Sequence, residues 1–524
     1  MMLVISSLSL PAFSHSNTER IIVRFKQGIT PFASDEIHRN LGIKSAKKLS
    51  NINSIEVLEL PSDISAQNAV KLYKMNPNIL YAEPDYHIRV DPVEGATLTR
   101  SEVQYAKQWA LQNDGQKVGK YVGIQDADIN APESWELTKG DKDVVVGVID
   151  TGIFYTHPNL KDNIWVNPGE IAGNGIDDDN NGFKDDIHGI NTVERSGDPL
   201  DDNGHGTHCA GVIGASGKAD DGTFGVNQKI SIAGCKFLDG DGGGRMSDAL
   251  ICLDYFAKLK ARKKDPVNLV AVNASWGGGR YSEAMLDAIK KLRDLGVLFI
   301  AASGNDRENN DEVDSYPADY KLDNIISVAA TNNKDELAYF SNYGKHTVHV
   351  GAPGMDILST YLDDQYKIFS GTSMATPYVT GLVGLLKSKD PSLDWKQLRN
   401  LVLTGGTPLD SLKDKTITGR RIRSADSHGI GSLTCVNQRA RARILPASDK
   451  VSVKVGENVD FFVIDIKCAG VESKPSMAVN MGRTVEFVDR QGTGNYSAVW
   501  TADAPGSYTF DLGAGDKVDV EVRD

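Results

Sequence analysis

Five nearly unbroken apolar runs constrain this chain more than anything else in it. They lie at residues 144–149, 230–237, 267–273, 297–302 and 325–329. An apolar run of this length without alternation marks a strand buried on both faces, which is the habit of parallel sheets. Between the runs lie stretches with helical periodicity, at residues 207–213, 247–260 and 283–295. Strands alternating with helices predict an α/β region, a parallel β-sheet sandwiched by helices. Functional groups in such sheets gather beyond the carboxyl ends of the strands. Those ends are therefore where chemistry is to be sought.

The pattern differs on either side of this region. Residues 20–26, 54–60 and 79–90 read as strands, with helical patterns at 34–41 and 63–75, and so predict a small α+β domain of the split βαβ kind. Short alternating strands at 451–455, 459–464, 495–502, 507–512 and 517–522 predict a C-terminal β-sandwich. A chain of 524 residues has room for these parts. The expected division is 1–14 as a possible signal peptide, 15–90 as the small domain, 91–103 as a linker, 104–435 as the α/β domain and 444–524 as the β-sandwich. A net charge of −13 argues against nucleic-acid binding. No apolar run reaches the length of a membrane-spanning helix. Five cysteines are too few for a disulfide scaffold of this size. Cys435 and Cys468 flank one region and can pair; Cys209, Cys235 and Cys252 sit in apolar contexts and read as buried thiols.

Four segments carry candidate chemistry. Asp150 closes the run VVVGVID, and NGHGTHCAG brings His205 to the start of a helix. AASGN ends a strand on Asn305, and GTSMATP places Ser373 before a buried helix. A serine hydroxyl becomes a nucleophile when a histidine takes its proton, a buried carboxylate orients that histidine, and donors hold the oxyanion that forms. Each residue alone also fits a structural role: a turn, a helix cap or a buried hydrogen bond. His208 reads as a structural histidine.

Together the segments VIDTGIFYTHPNL, NGHGTHCAGVIG, AASGN and GTSMATP resemble the subtilisin family of serine proteases over roughly residues 104–405. Their order Asp…His…Ser is that of subtilisin. The resemblance implies Asp150 as orienting acid, His205 as base, Ser373 as nucleophile and Asn305 as oxyanion donor. It implies two edges that pair with an extended substrate, Gly242, Gly243 and Gly244 on one side and Ser275, Trp276, Gly277 and Gly278 on the other. The domain ending NPNILYAEPDY resembles that family's inhibitory propeptide, which makes residues 91–103 a processing linker. The last eighty or so residues lie outside the resemblance.

The stretch NGIDDDNNGFKDD follows a D-x-D-x-N-G pattern. Oxygen ligands at alternating positions, with glycine at the sixth for the turn, wrap a calcium ion. Asp177, Asp179, Asn181, Phe183 (by its carbonyl) and Asp185 are the expected ligands of a structural Ca²⁺. His188 stands where an EF-hand has its bidentate glutamate, so the loop is not an EF-hand.

The expectation is a secreted serine endopeptidase, extracellular, periplasmic or at the cell surface, made as a zymogen that its own propeptide inhibits. Its partners are protein or peptide substrates, with neither nucleic acid nor a membrane span. The alternative is a silent or secondary-activity adhesin acting through the C-terminal β-domain, whose partner the sequence does not name.

Overall fold

The computed structural model describes residues 19–424 without 41, 44, 50–54, 91, 104 and 219–222. Beyond 424 it describes 440–445, 450–466, 476–480, 483–488, 495–511 and 517–524. The expected signal segment, Cys435 and Cys468 lie outside the described residues. The chain divides into two compact units, Met1–Asp85 and Tyr86–Asp524.

The first unit is a four-stranded antiparallel sheet in the order Ser45–Leu49, Ile55–Glu59, Arg20–Phe25, Ile79–Pro84. Helices Pro31–Asn40 and Ala66–Lys74 complete it. Ile21, Val23, Phe25, Leu58 and Tyr73 form its core. The strand Ser45–Leu49 was not expected, because Lys47 and Lys48 in succession hide its alternation. The run 79–90 also breaks in two: Ile79–Pro84 stays in this sheet, and His87–Arg89 belongs to the second unit.

The second unit is built on a nine-stranded sheet. The five apolar runs become Val145–Asp150, Ser231–Lys236, Leu269–Ala274, Leu298–Ala302 and Ile325–Thr331, and every residue in them is buried. Val145–Asp150 pairs in parallel with Ser231–Lys236 on one side and Leu269–Ala274 on the other, then Leu298–Ala302, Ile325–Thr331 and Val350–Pro353 follow. Val350–Pro353 escaped the sequence reading because four residues containing Gly351 and Pro353 resemble a turn. Helices His205–Gly214 and Thr372–Lys389 pack together against the sheet, as do Met246–Ala261 and Glu283–Asp294. Cys235 and Cys252 form a disulfide between a strand and the helix that returns over it. This corrects the reading of both as buried thiols, since an apolar context marks burial and not redox state. Cys209 is buried and free.

Residues 91–103, expected as a linker, contain the strand Val93–Leu98, which pairs with Tyr366–Ser370. At the C-terminus Ala440–Leu445, Asn458–Ile466 and Asn495–Thr501 form one sheet. Lys450–Lys454, Lys517–Arg523, Gly506–Asp511, Ser476–Val479 and Arg483–Glu486 form a second. Val459 and Phe461 of the first share a core with Met477, Phe510, Val518 and Val520 of the second, so the two sheets lie face to face.

Candidate active site

Asp150 ends the strand Val145–Asp150 and is fully buried. His205 opens the helix His205–Gly214. Two glycines let these elements meet. Gly204 has φ 101°, a left-handed turn that sends the chain into the helix. A side chain on Gly206 would run into the Gly152 carbonyl and come within 3.0 Å of the Asp150 Cβ. Asp201 holds the helix start: its carboxylate accepts the amides of Asn203, Gly204 and Thr207, at 3.0 Å each. Those are groups the helix itself leaves unpaired.

His205 Nδ1–H donates to Asp150 Oδ1 at 2.7 Å, and the Thr151 amide donates to the same oxygen at 2.7 Å. This fixes the tautomer: Nδ1 carries the proton and Nε2 is free to accept one. His205 Nε2 and Asp150 Oδ2 are both buried without a hydrogen-bond partner. An unpartnered basic nitrogen in a buried site is poised for proton transfer.

Ser373 is the second residue of the helix Thr372–Lys389. Its hydroxyl donates to the Ser275 carbonyl at 2.9 Å, not to His205. Proton transfer to His205 therefore requires the hydroxyl to give up its bond to the Ser275 carbonyl. The Ser373 backbone is tied down by a buried relay. Ser275 Oγ donates to the Ser373 carbonyl at 2.8 Å, Asn273 Nδ2 donates to Ser275 Oγ at 2.9 Å, and Thr380 Oγ1 donates to Asn273 Oδ1 at 2.9 Å. Asn273 and Thr380 were not singled out in the sequence; each lies in an apolar element where a polar residue is the only signal.

Asn305 Oδ1 accepts the Thr372 amide at 2.8 Å and the Thr372 hydroxyl at 3.0 Å. Its carbonyl end is thus committed, and its NH₂ points elsewhere. A Cβ on Gly371 would lie 3.5 Å from Asn305 Nδ2 and 3.6 Å from the Ser373 amide nitrogen. The two donors look onto one space, as an oxyanion hole requires. Asn305→Ala is expected to lower kcat by about 10²–10³, the cost of losing the corresponding donor in subtilisin. Steady-state kinetics on a peptide substrate test this, and unchanged kcat would remove Asn305 from the mechanism.

The neighbouring histidine is a different kind of residue. His208 Nε2 lies 3.0 Å from the carbonyls of both Ile357 and Lys367. Burial pushes its pKa down to about 3, so it stays neutral and braces the fold. Burial likewise pushes the Cys209 thiol up, which leaves it a weak nucleophile.

The two expected substrate edges lie where an extended chain fits between them. Gly243–Arg245 pairs antiparallel with His87–Arg89, the Val90 amide donates to the Gly242 carbonyl at 3.0 Å, and Arg89 bridges to Gly277. Gly278 turns away with φ 77°. Trp276 departs from expectation. Its indole N–H donates to the Ile149 carbonyl at 2.9 Å and its rings pack on Phe237 and Phe299. The side chain fills the core beneath the Asp150 strand, so only the Trp276 backbone belongs to the edge.

In the acidic loop, Asp177 and Asp179 come together with Glu170, each offering an oxygen within 4.8 Å of the others. Glu170 was missed; it precedes the D-x-D-x-N-G pattern and accepts the amides of Asp179 and Asp185 at 3.0 Å. Asn181 instead donates its Nδ2 to Asp186, and Asp185 accepts the amides of Asn174 and Gly175. Phe183 packs against Tyr255. Arg262 lies 3.0 Å from Asp179 Oδ2 and offsets part of the negative charge. Three converging carboxylates on a tightly turned loop fit a hard, oxygen-seeking cation.

Residues 141–420 match the subtilase family, peptidase S8, and residues 18–85 match the fervidolysin N-terminal prodomain. Subtilisin-like protease 1 of Plasmodium berghei (strain Anka) is 33% identical over 369 residues, 67% of this chain and 59% of that protein. The thermophilic serine proteinase of Bacillus sp. (strain AK1) is 30% identical over 371 residues, 70% of this chain and 78% of that protein. The cell wall-associated protease of Bacillus subtilis (strain 168) is 32% identical over 401 residues, 74% of this chain and 39% of that protein. The chain thus spans 59% of the length of the first of these relatives.

Proposed function

The chain belongs to the subtilase family, with a fervidolysin-like prodomain ahead of the subtilase domain, and from that premise we propose that it is a serine endopeptidase made as a self-inhibited zymogen. The observation that carries the reading is the His205–Asp150 bond, with His205 Nε2 left buried and unpartnered. The reaction is acyl transfer. His205 takes the proton from Ser373 Oγ, which adds to a peptide carbonyl. Asn305 Nδ2 and the Ser373 amide hold the oxyanion. His205 gives the proton to the departing amine, and water then hydrolyses the ester. Substrates are proteins and peptides that add an extended strand between the Gly242–Gly244 and Ser275–Gly278 edges.

Fluorophosphonate labelling of the processed protein, followed by peptide mapping, tests this reading. Label on Ser373 with hydrolysis of an added peptide is expected. A processed protein that takes no label would favour a binding protein acting through its C-terminal sandwich.

Secretion is part of the proposal: the Cys235–Cys252 disulfide suits an oxidising compartment. Calcium binding is another part. Glu170, Asp177 and Asp179 would hold the ion, and its role would be structural. A bound ion stabilises by mass action, about 2.7 kcal/mol when its concentration is a hundred times Kd. EGTA is therefore expected to lower Tm by several degrees, and identical melting curves with and without it would overturn the site.

A further inference from the structure

The strand Ser231–Lys236 ends on a lysine whose side chain is only 4% exposed. Lysine is rarely buried unless its charge is paired. Here every ammonium hydrogen is used. Lys236 Nζ donates to the Thr151 carbonyl at 2.9 Å, to the Leu238 carbonyl at 2.8 Å and to Asp202 Oδ1 at 2.6 Å. The acyl-transfer steps give this cation no task, but its three partners do. Thr151 follows the orienting acid: its amide holds Asp150 Oδ1, and its hydroxyl accepts the Gly206 amide at 2.9 Å, next to His205. Asp202 lies in the loop that leads into His205, beside Asn203, whose Oδ1 accepts the His205 amide at 3.2 Å. Leu238 is where the substrate edge begins. It bridges to Gly244. The turn after it closes on itself, since the Asp239 amide donates to the Gly243 carbonyl at 2.8 Å and the Gly242 amide to the Asp239 carbonyl at 2.9 Å. The edge therefore moves as one piece with Leu238.

The acid–base pair and the edge are not held equally. Asp150 and His205 bond to each other, and Asp201 caps the His205 helix without help from Lys236. The edge is tied to that pair by less. The amides of Phe237 and Leu238 share one acceptor, the Asp150 carbonyl, at 3.0 and 3.3 Å. Asn203 Nδ2 reaches the Gly240 carbonyl at 3.0 Å in an exposed position. The ammonium is the buried, charged tie between them.

We propose that Lys236 is a positioning residue for extended substrates: it sets the Gly242–Gly244 edge in register with the Asp150–His205 pair, so that a peptide paired along the edge brings its scissile carbonyl to Ser373. The proposal rests on the reading of Ser373 as an active nucleophile. Lys236 touches neither the substrate nor the reacting atoms. Its effect grows with the number of substrate residues on the edge. Binding energy from remote residues helps the reacting centre only while edge and nucleophile keep their spacing, and an error of about 1 Å there can cost about 10²-fold.

The test measures kcat/KM per site titrated with a fluorophosphonate, for the wild type and Lys236→Met, on two substrates. One is a tetrapeptide anilide. The other is the ester of a single blocked amino acid, which has no further residue to lay along the edge. Lys236→Met is expected to lose about 10²-fold on the tetrapeptide and less than about tenfold on the ester, so that the ratio of the two falls by about tenfold or more. A role in stability alone would reduce the number of titrated sites and leave the ratio as it is in the wild type; an unchanged ratio overturns the proposal. Should Lys236→Met not fold, Asp202→Asn decides. The Asp202 side chain is 60% exposed, so the change spares the fold while weakening the hold on the ammonium. The ratio is then expected to fall about threefold, and a wild-type ratio again overturns the proposal. A wild type that takes no label and cleaves neither substrate removes the protease reading, and this proposal with it.

Discussion

Ser373→Ala is expected to lower kcat/KM of the processed protein by about 10⁶ while leaving its fold intact, the order that loss of the triad serine costs in subtilisin. The size follows from what is lost. The hydroxyl is the group that forms the covalent bond with the substrate in the proposed reaction. Without it, His205 has no proton to take, and water must attack unaided beside the two oxyanion donors. Those donors and the strand edges survive, so a residual 10³–10⁴-fold rate over uncatalysed hydrolysis is expected. The fold has little at stake. Ser373 Oγ makes one hydrogen bond, to the Ser275 carbonyl, and the helix start is anchored by other groups. The Ser275 hydroxyl holds the Ser373 carbonyl and Asn305 holds the Thr372 amide. Losing one such hydrogen bond costs about 1 kcal/mol. The check is kcat/KM on a chromogenic peptide together with Tm. A variant retaining a tenth of the activity would show that another group makes the acyl bond. Adding His205→Ala to Ser373→Ala should cost almost nothing further, because the two act as one unit.

Much of this site was legible because its parts sit at element ends that apolar patterning marks. Parallel strands of five or more residues buried on both faces stand out in a sequence, as the four-residue Val350–Pro353 does not, and so Asp150 and Asn305 could be placed where strands stop. The glycines around His205 and Ser373 mark tight approaches. What stayed hidden has physical causes. Trp276 stands within an edge segment, but which way a large side chain turns depends on the volume free beneath it, and here that volume lies between Phe237 and Phe299. Cys235 and Cys252 are 17 residues apart, a spacing set by how the helix returns over its strand. Glu170 joins Asp177 and Asp179 from outside the recognisable pattern. The strand Val93–Leu98 looked like a linker because its burial depends on a distant partner, Tyr366–Ser370. In each case the missing information is a tertiary contact, which composition and period do not encode.

Asp150→Asn is the sharper experiment, because it separates shape from charge. Asparagine fills the same volume, and its oxygen can stay where Asp150 Oδ1 now accepts both the Thr151 amide and His205 Nδ1–H. The Thr151 amide favours that orientation over the flipped one, since a flipped NH₂ would face another donor. The imidazole then keeps its position and tautomer. What disappears is the negative charge that stabilises the imidazolium as Ser373 loses its proton. In a site this buried that charge has no substitute, and activity is expected to fall by about 10⁴, the order that loss of the triad aspartate costs in subtilisin, mostly in kcat. Stability should move the other way. Asp150 is fully buried and its Oδ2 has no partner, so the folded state carries a charge it satisfies only in part. Neutralising it removes a desolvation cost, and a gain on the order of 1 kcal/mol in unfolding free energy is expected. Measuring kcat/KM and Tm on the same preparation decides the matter. Activity lost together with stability would mean that Asp150 chiefly holds the fold. Activity lost while Tm holds or rises would mean that the strand end keeps an uncomfortable carboxylate for the sake of the proton His205 must carry.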